Sequence, residues 1–422
     1  MLNISKLNNG MTFVSERIQF VRSIALGIWI KSGSRYESEE INGISHYIEH
    51  MMFKGTEKRS AKELAEQMDR VGGQINAFTS KEYTCFYTVS LDEHFDDSLD
   101  ILHDMLKNSK FTPQDINKEK GVILEEINMY EDAPDELVID ELHSKVWQGH
   151  SLSMPILGTM ESLENINRDK ILDYYSNMFV PENMIICIAG NFDYDTVLKM
   201  LNETFGSWIN QQPKKNQVLD VPYHSTITTR YKDIEQVHSC LTFNGLPLGH
   251  KDVYPLSIFS TMFGGGVSSR LFQKIREEAG LTYSIYSYTT SFLNAGLFSV
   301  FTALNPNQFE EVLKRVVNEV NLIKETKFTK DELATTKEHL KSSIILGLES
   351  SSSRMSSLGK SQLLLGRVRT PDEIIEKINA VTEEDIYNTI HQVLNFNNIS
   401  ISIVGQTKDI QEERVKELCQ MS

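Results

Sequence analysis

The sequence predicts an α+β fold built twice over, and three observations lead there. Runs rich in β-branched and aromatic residues alternate with amphipathic helical stretches. Several segments recur further along at nearly constant spacing, the mark of an internal duplication. Between the copies, Asn210-Gln211-Gln212-Pro213-Lys214-Lys215-Asn216-Gln217 is polar, contains proline and lacks an apolar period, as a linker does.

Taken in order, Leu7-Asn8-Asn9-Gly10-Met11 reads as a turn entering a strand over 12–15. Further strands are expected over 24–30, 84–89 and 184–188. An apolar-periodic helix covers 44–53. A second covers 61–71, opened by a Ser60/Glu63 capping box and stopped by Gly72-Gly73. Thr112-Pro113 supplies an N-cap and a first-turn proline for a third helix that runs through Ile127.

The recurrences carry the domain division. Pro181-Glu182-Asn183-Met184 through Ala189-Gly190 is echoed by Asn397-Asn398-Ile399 through Val404-Gly405, 215 residues on. Phe111-Thr112 matches Phe328-Thr329 at 217, and Met52-Phe53-Lys54-Gly55 matches Met262-Phe263-Gly264-Gly265 at 210. The expected division is an N-terminal domain over 1–209, a linker over 210–218 and a homologous C-terminal domain over 219–422. A chain of 422 residues is also too long for one compact core.

Composition narrows the class. Hydrophobic residues at 40% and charged residues at 24% belong to an ordinary soluble globular chain. The formal net charge of −16 disfavours nonspecific binding to nucleic acid. It would favour basic peptides if the excess lined a cavity; a merely soluble acidic surface is the alternative. Cys85, Cys187, Cys240 and Cys419 stand far apart with no CxxC spacing, so reduced thiols are expected in place of a disulfide framework or zinc knuckle. No apolar run approaches the roughly 20 residues a bilayer requires. No signal peptide opens the sequence, and the cytoplasm is the expected compartment.

The chemistry concentrates in His46-Tyr47-Ile48-Glu49-His50. On a helix His46 and His50 lie about 40° apart, and Glu49 about 60° from His46, so three polar groups share one face. Two imidazoles one turn apart can hold a single Zn²⁺, and the carboxylate beside them can take a proton from an attacking water. A solvated helix face or a hydrogen-bonded histidine pair looks the same, and by itself the motif leaves both readings open. Zinc held by two histidines needs a further protein ligand. Glu119 and Glu126, seven residues apart, project within about 20° of each other two turns along one helix. One can ligate while the other supports it; a solvated glutamate stripe has the same spacing.

HxxEH followed by this glutamate pair, with Gly43-Ile44-Ser45 before the motif and Met52-Phe53-Lys54-Gly55-Thr56 after it, resembles the pitrilysin family of inverted-motif zinc peptidases. The flanks are similar to the bacterial and mitochondrial processing-peptidase branch, and the resemblance covers nearly the whole chain. It implies two homologous domains, each an antiparallel or mixed sheet packed with long helices. It implies one Zn²⁺ per chain on His46, His50 and Glu126, with Glu49 as catalytic base and Glu119 as supporting carboxylate. The implied activity is that of a zinc metalloendopeptidase acting on extended peptides or precursor segments. Some family members are instead noncatalytic structural or presequence-binding subunits that have lost ligands or base; this chain keeps all five residues.

A second signature runs from Ser268-Ser269-Arg270-Leu271-Phe272 to Gly280-Leu281-Thr282-Tyr283-Ser284. Alone, Arg276 and Tyr283 read as a surface charge and a strand aromatic. The resemblance makes them the pair that grips substrate and donates to the oxygen of the attacked carbonyl, a task that suits a guanidinium and a phenol. It likewise makes Asn76, Ala77 and Phe78, within Gln74–Thr79, part of a strand edge that receives the peptide. The family's chamber uses four domains, so a homodimer is implied, with Arg276 and Tyr283 of one copy acting at the other's zinc. Gly264-Gly265-Gly266 lacks the GK[ST] ending of a phosphate loop and reads as a tight turn.

The duplication contains its own control. The spacing of 210 puts His46, Glu49 and His50 on Leu256, Phe259 and Ser260, and that of 217 puts Glu119 and Glu126 on Thr336 and Ser343. The second copy therefore has none of the five groups, so the fold does not require them.

Overall fold

The structure, a computed structural model, describes residues 2–209, 219–326 and 328–419. The expected linker 210–218 lies outside the described residues. The first half runs β1 (Leu2–Lys6), β2 (Thr12–Arg17), β3 (Ser23–Ile30), α1 (Ile44–Met52), α2 (Ala61–Arg70), β4 (Gln74–Thr79) and β5 (Thr84–Leu91). It continues with α3 (Phe95–Asn108), α4 (Pro113–Glu131), α5 (Pro134–Val146), α6 (Met160–Asn165), α7 (Arg168–Met178), β6 (Met184–Gly190) and α8 (Tyr194–Glu203). The second half runs β7 (Ile227–Tyr231), β8 (Val237–Asn244), α9 (Val253–Gly264), a π-helical turn (Phe272–Glu277), β9 (Ser284–Ser291) and β10 (Gly296–Leu304). It ends with α10 (Phe309–Glu325), α11 (Lys330–Gly347), α12 (Ser351–Leu365), α13 (Pro371–Ala380), α14 (Glu383–Val393), β11 (Ile399–Gly405) and α15 (Glu412–Leu418).

The fold is α+β, and the two sheets repeat one topology. The first has the order β1-β2-β6-β3-β5-β4 and the second β7-β11-β8-β10-β9. In each, one parallel pair (β2 with β6, β7 with β11) joins an otherwise antiparallel sheet. Gly190 pairs with Ile24 in the first sheet as Gly405 pairs with Val237 in the second. The strands β6 and β11 start 215 residues apart, and the helices α4 and α11 start 217 apart, the spacings read from the sequence.

Strand β3 explains the layering. Residues 24–30 are all buried, so this central strand is covered on both faces. Ile24, Leu26, Ile28 and Ile30 face a core shared with Tyr47, Ile48, Leu102 and Met105 from α1 and α3. Ala25 and Trp29 alternate to the other face, where they meet Met355 and Leu358 of α12. Each large apolar side chain buried in these layers stabilises the fold by about 1.5–3 kcal/mol.

The helix on that second face comes from the far half of the chain. One compact unit comprises Met1–Ile127, Met154–Gln217 and Leu346–Arg369; the other comprises Asn128–Ser153, Val218–Ile345 and Thr370–Ser422. Within the second, α5 supplies Leu137, Val138, Leu142 and Val146 against Cys240 and Val404 of β8 and β11. The equivalent helices α5 and α12, starting at Pro134 and Ser351, are thus exchanged between the copies.

The four cysteines are all buried and unpaired. Among the described residues no helix is long and apolar enough to cross a membrane.

Candidate active site

Helix α1 carries the HxxEH residues, and its start is held from outside. Its N-cap is Gly43, at φ 92, which offers no side-chain cap. A Cβ there would lie 2.6 Å from the Leu157 carbonyl oxygen, so glycine answers to both the left-handed backbone and the close approach. The carboxylate of Glu37 takes the cap's place, accepting from the backbone N–H groups of Gly43 at 2.7 Å and Ser45 at 2.9 Å and from Asn42 Nδ2 at 2.9 Å. The Ser45 hydroxyl meets the Tyr174 hydroxyl at 2.9 Å, tying α1 to α7. The Tyr47 hydroxyl donates to the Ile116 carbonyl, tying it to α4.

Helix α4 buries Ile116 and Ile123 and thereby turns Glu119 and Glu126 toward α1. Glu119 is 1% exposed, whereas the Glu126 side chain keeps a third of its surface open. Glu126 Oε2 lies 3.6 Å from His46 Nε2 and 3.5 Å from His50 Nε2, and the three candidate ligand atoms fall within 4.8 Å of one another. Tetrahedral zinc with bonds of about 2.0–2.1 Å separates neighbouring ligand atoms by about 3.4 Å. The three residues fit that ion, and two imidazoles with one carboxylate are a donor set that leaves a coordination position open. His50 Nδ1 is 3.2 Å from Glu119 Oε2, which aims the ring's other nitrogen at the ligand cluster. Among the described residues, His46 Nδ1 is buried without a hydrogen-bond partner.

The site's electrostatics follow from burial and from these contacts. Burial, reinforced by the neighbouring His50, pushes the His46 pKa down to about 4, so His46 is the neutral imidazole a metal needs. Burial also pulls on His50, but its hydrogen bonds to Glu126 and Glu119 outweigh that and raise it. The His50 contact holds the Glu126 carboxyl below its ordinary value. Glu49 is raised by burial, against the opposing hydrogen bond that its Oε2 accepts from the Thr79 hydroxyl. A carboxylate moved toward neutrality in this way is a better proton acceptor near pH 7.

Thr79 belongs to β4, the sheet's edge strand, whose other side pairs with β5. Alternation puts Ile75 and Ala77 on the face that Thr79 shares with α1, and Phe78 on the opposite face with Trp29, Tyr83 and Tyr87. Asn76 alternates with Phe78, and its Oδ1 accepts the N–H of Ala77 at 2.8 Å. In the second unit Arg276 and Tyr283 stand together. The guanidinium lies 4.6 Å from the Phe272 ring centre and 5.7 Å from that of Tyr283. Tyr283 is 73% exposed, and a cavity of about 410 Å³ beside them is lined by Arg276, Phe272 and Tyr286.

Three residues of the site were not singled out from sequence: Glu37, Thr79 and Lys54, whose Nζ lies 2.8 Å from Glu119 Oε1. Glu37 and Thr79 have no spacing relation to the motif. Lys54 does have one, four residues past His50, just beyond the end of α1.

Comparison with known proteins places the chain in a family. A family described as Insulinase (Peptidase family M16) matches residues 12–160, and one described as Peptidase M16 inactive domain matches 165–340. The chain is 45% identical over 386 residues to the uncharacterized zinc protease YmxG of Bacillus subtilis, covering 91% of this chain and 94% of that one. It is 36% identical over 416 residues to an uncharacterized zinc protease of Streptomyces coelicolor, covering 97% and 90%. A protease from Helicobacter pylori has the same fold, with a TM-score of 0.91 at 21% identity over 96% of this chain and 99% of that one. On these matches the chain belongs to peptidase family M16, the insulinase or pitrilysin family of zinc proteases.

Proposed function

We propose that this chain is an endopeptidase that cuts extended peptides with one Zn²⁺ on His46, His50 and Glu126. The observation that carries the reading is the convergence of His46 Nε2 and His50 Nε2 on Glu126 Oε2 at 3.6 and 3.5 Å, with Glu49 one residue away on the same helix. A metal ion there supplies Lewis acidity toward water and carbonyl oxygen. Glu49, held by Thr79, accepts the proton of the attacking water and returns it to the leaving amine.

The substrate lies along the free side of β4 as an added strand, bound through its backbone and therefore with little demand on sequence. Asn76 Oδ1 occupies the Ala77 N–H in the free protein, and an incoming carbonyl displaces it. The working form is a homodimer in which Arg276 and Tyr283 of one copy complete the zinc site of the other, and its compartment is the cytoplasm.

Replacing Glu49 by Gln tests the chemistry. The variant should bind zinc as the wild type does and lose about 10²–10⁴-fold in cleavage of an unstructured peptide. Cleavage at the wild-type rate would remove Glu49 as the base. Mixing Glu49→Gln chains with Tyr283→Phe chains tests the dimer, since trans completion leaves one intact site per heterodimer and restores activity. Mixtures no more active than either variant would sink it.

A further inference from the structure

We propose that Lys54 is a positioning residue for the metal site, acting through Glu119 on His50. The inference rests on reading His46, His50 and Glu126 as zinc ligands.

One buried carboxylate here bridges a cation and a ligand. Glu119 is 1% exposed; its Oε2 is 3.2 Å from His50 Nδ1 and its Oε1 is 2.8 Å from Lys54 Nζ. Among the described residues no hydrogen bond reaches Oε1, so the Lys54 ammonium is what faces that oxygen. A carboxylate this far from water is costly unless a cation or donors compensate it. With Oε1 held, the carboxylate plane is set, and Oε2 can hold the His50 ring in one tautomer and one orientation. His46 Nδ1 has no such partner among the described residues. The orientation of the histidine pair therefore depends on the Lys54–Glu119–His50 chain.

The turn that follows α1 places Lys54. It lies in the turn that ends α1, its N–H donating to the Met51 carbonyl at 3.1 Å, and its side chain stays two-thirds buried. From that turn, four residues past His50, its Nζ reaches the Glu119 carboxylate whose other oxygen meets His50. The duplicated copy agrees: where the ligands are missing, glycine (Gly264) stands at the position of Lys54 and threonine (Thr336) at that of Glu119. Both members of the pair are absent together where there is no imidazole to orient.

Zinc affinity, measured by competition with a chelator on the full chain, tests this. Lys54→Met should bind zinc about 10–100-fold more weakly than wild type, the range found when the partner of a metal-bound histidine is disturbed. Lys54→Arg should recover most of the loss, since it restores a cation. In a Glu119→Gln background, Lys54→Met should change affinity no further. Circular dichroism of each variant without metal keeps a folding defect distinct. Unchanged zinc affinity in Lys54→Met, or the same loss with and without Glu119, would overturn the proposal while leaving the zinc site standing. A wild-type chain that binds no zinc would overturn both.

Discussion

The Glu37 carboxylate accepts the Ser45 N–H at 2.9 Å, fastening the first turn of the helix that carries His46, Glu49 and His50 from seven residues outside it. Burial raises the pKa of Glu37, against the hydrogen bonds from Ser45, Gly43 and Asn42. Glu37→Ala would strand three buried donors at once. The expected loss is about 2–4 kcal/mol in urea unfolding, with lower zinc occupancy because α1 starts loose. Glu37→Gln, which keeps an acceptor oxygen, should lose less. A Glu37→Ala protein as stable as wild type would show that the cap carries nothing.

Removing the metal should abolish cleavage and leave the fold. Helix α9 packs in the second unit with Leu256, Phe259 and Ser260 where α1 has its polar groups, so these helices need no ion to pack. Chelator treatment should leave the far-ultraviolet circular dichroism unchanged. Zinc at a hundredfold excess over its Kd should raise stability by about 2.7 kcal/mol, read as a higher Tm. A Tm insensitive to zinc would count against a site formed in the native state.

Two glycines let α12 approach the first sheet. A Cβ on Gly359 would lie 2.2 Å from Trp29 Nε1, and one on Gly27 would lie 2.2 Å from Met355 Sδ. Gly359→Ala should therefore cost about 1–3 kcal/mol through overpacking and shift the fluorescence of Trp29. The exchanged helix has a larger consequence. Residues 1–209 expressed alone would leave Val14, Ala25 and Trp29 without the cover of Met355 and Leu358, and should aggregate unless 219–422 is made with them. A soluble, cooperatively unfolding 1–209 fragment would contradict this.

Acid should weaken the first unit through His103. Burial, with the nearby Lys107, lowers its pKa below 6.5, and its Nε2 accepts the Trp208 indole N–H at 3.4 Å. The unfolded chain takes up a proton at about pH 6.5, before the folded one does, so stability falls as pH drops through 6.5 toward the lower folded pKa. Above 6.5 His103 contributes no slope. His103→Gln, which keeps a hydrogen-bonding side chain, should flatten the fall in Tm between pH 7 and 5. An identical slope in the variant would clear His103.

How much was legible depends on the range of the interaction. The capping box at Ser60 and Glu63 lies in the sequence as in the structure, because a cap reads residues three apart. The α-helical period made His46 and His50, or Glu119 and Glu126, neighbours on their faces before any fold was known. Glu37 and Thr79 escaped because each reaches α1 through a turn or a sheet edge, for which no periodicity exists. Lys54 was four residues from His50, but nothing local says that Glu119 lies in front of it.

By itself the sequence determined the duplication, the period of the elements read from it, and the candidate metal donors His46, His50 and Glu126, since these are properties of spacing and side-chain chemistry. Only the tertiary structure decided that Glu126 Oε2 meets both imidazole nitrogens, that Glu119 is held between His50 and Lys54, and that α5 and α12 change places. Those are contacts between segments tens to hundreds of residues apart, selected by which apolar faces must be covered and which buried charges must be paired. HxxEH names two candidate metal donors, His46 and His50; packing of α4 and Glu37 against α1 brings Glu126 to them.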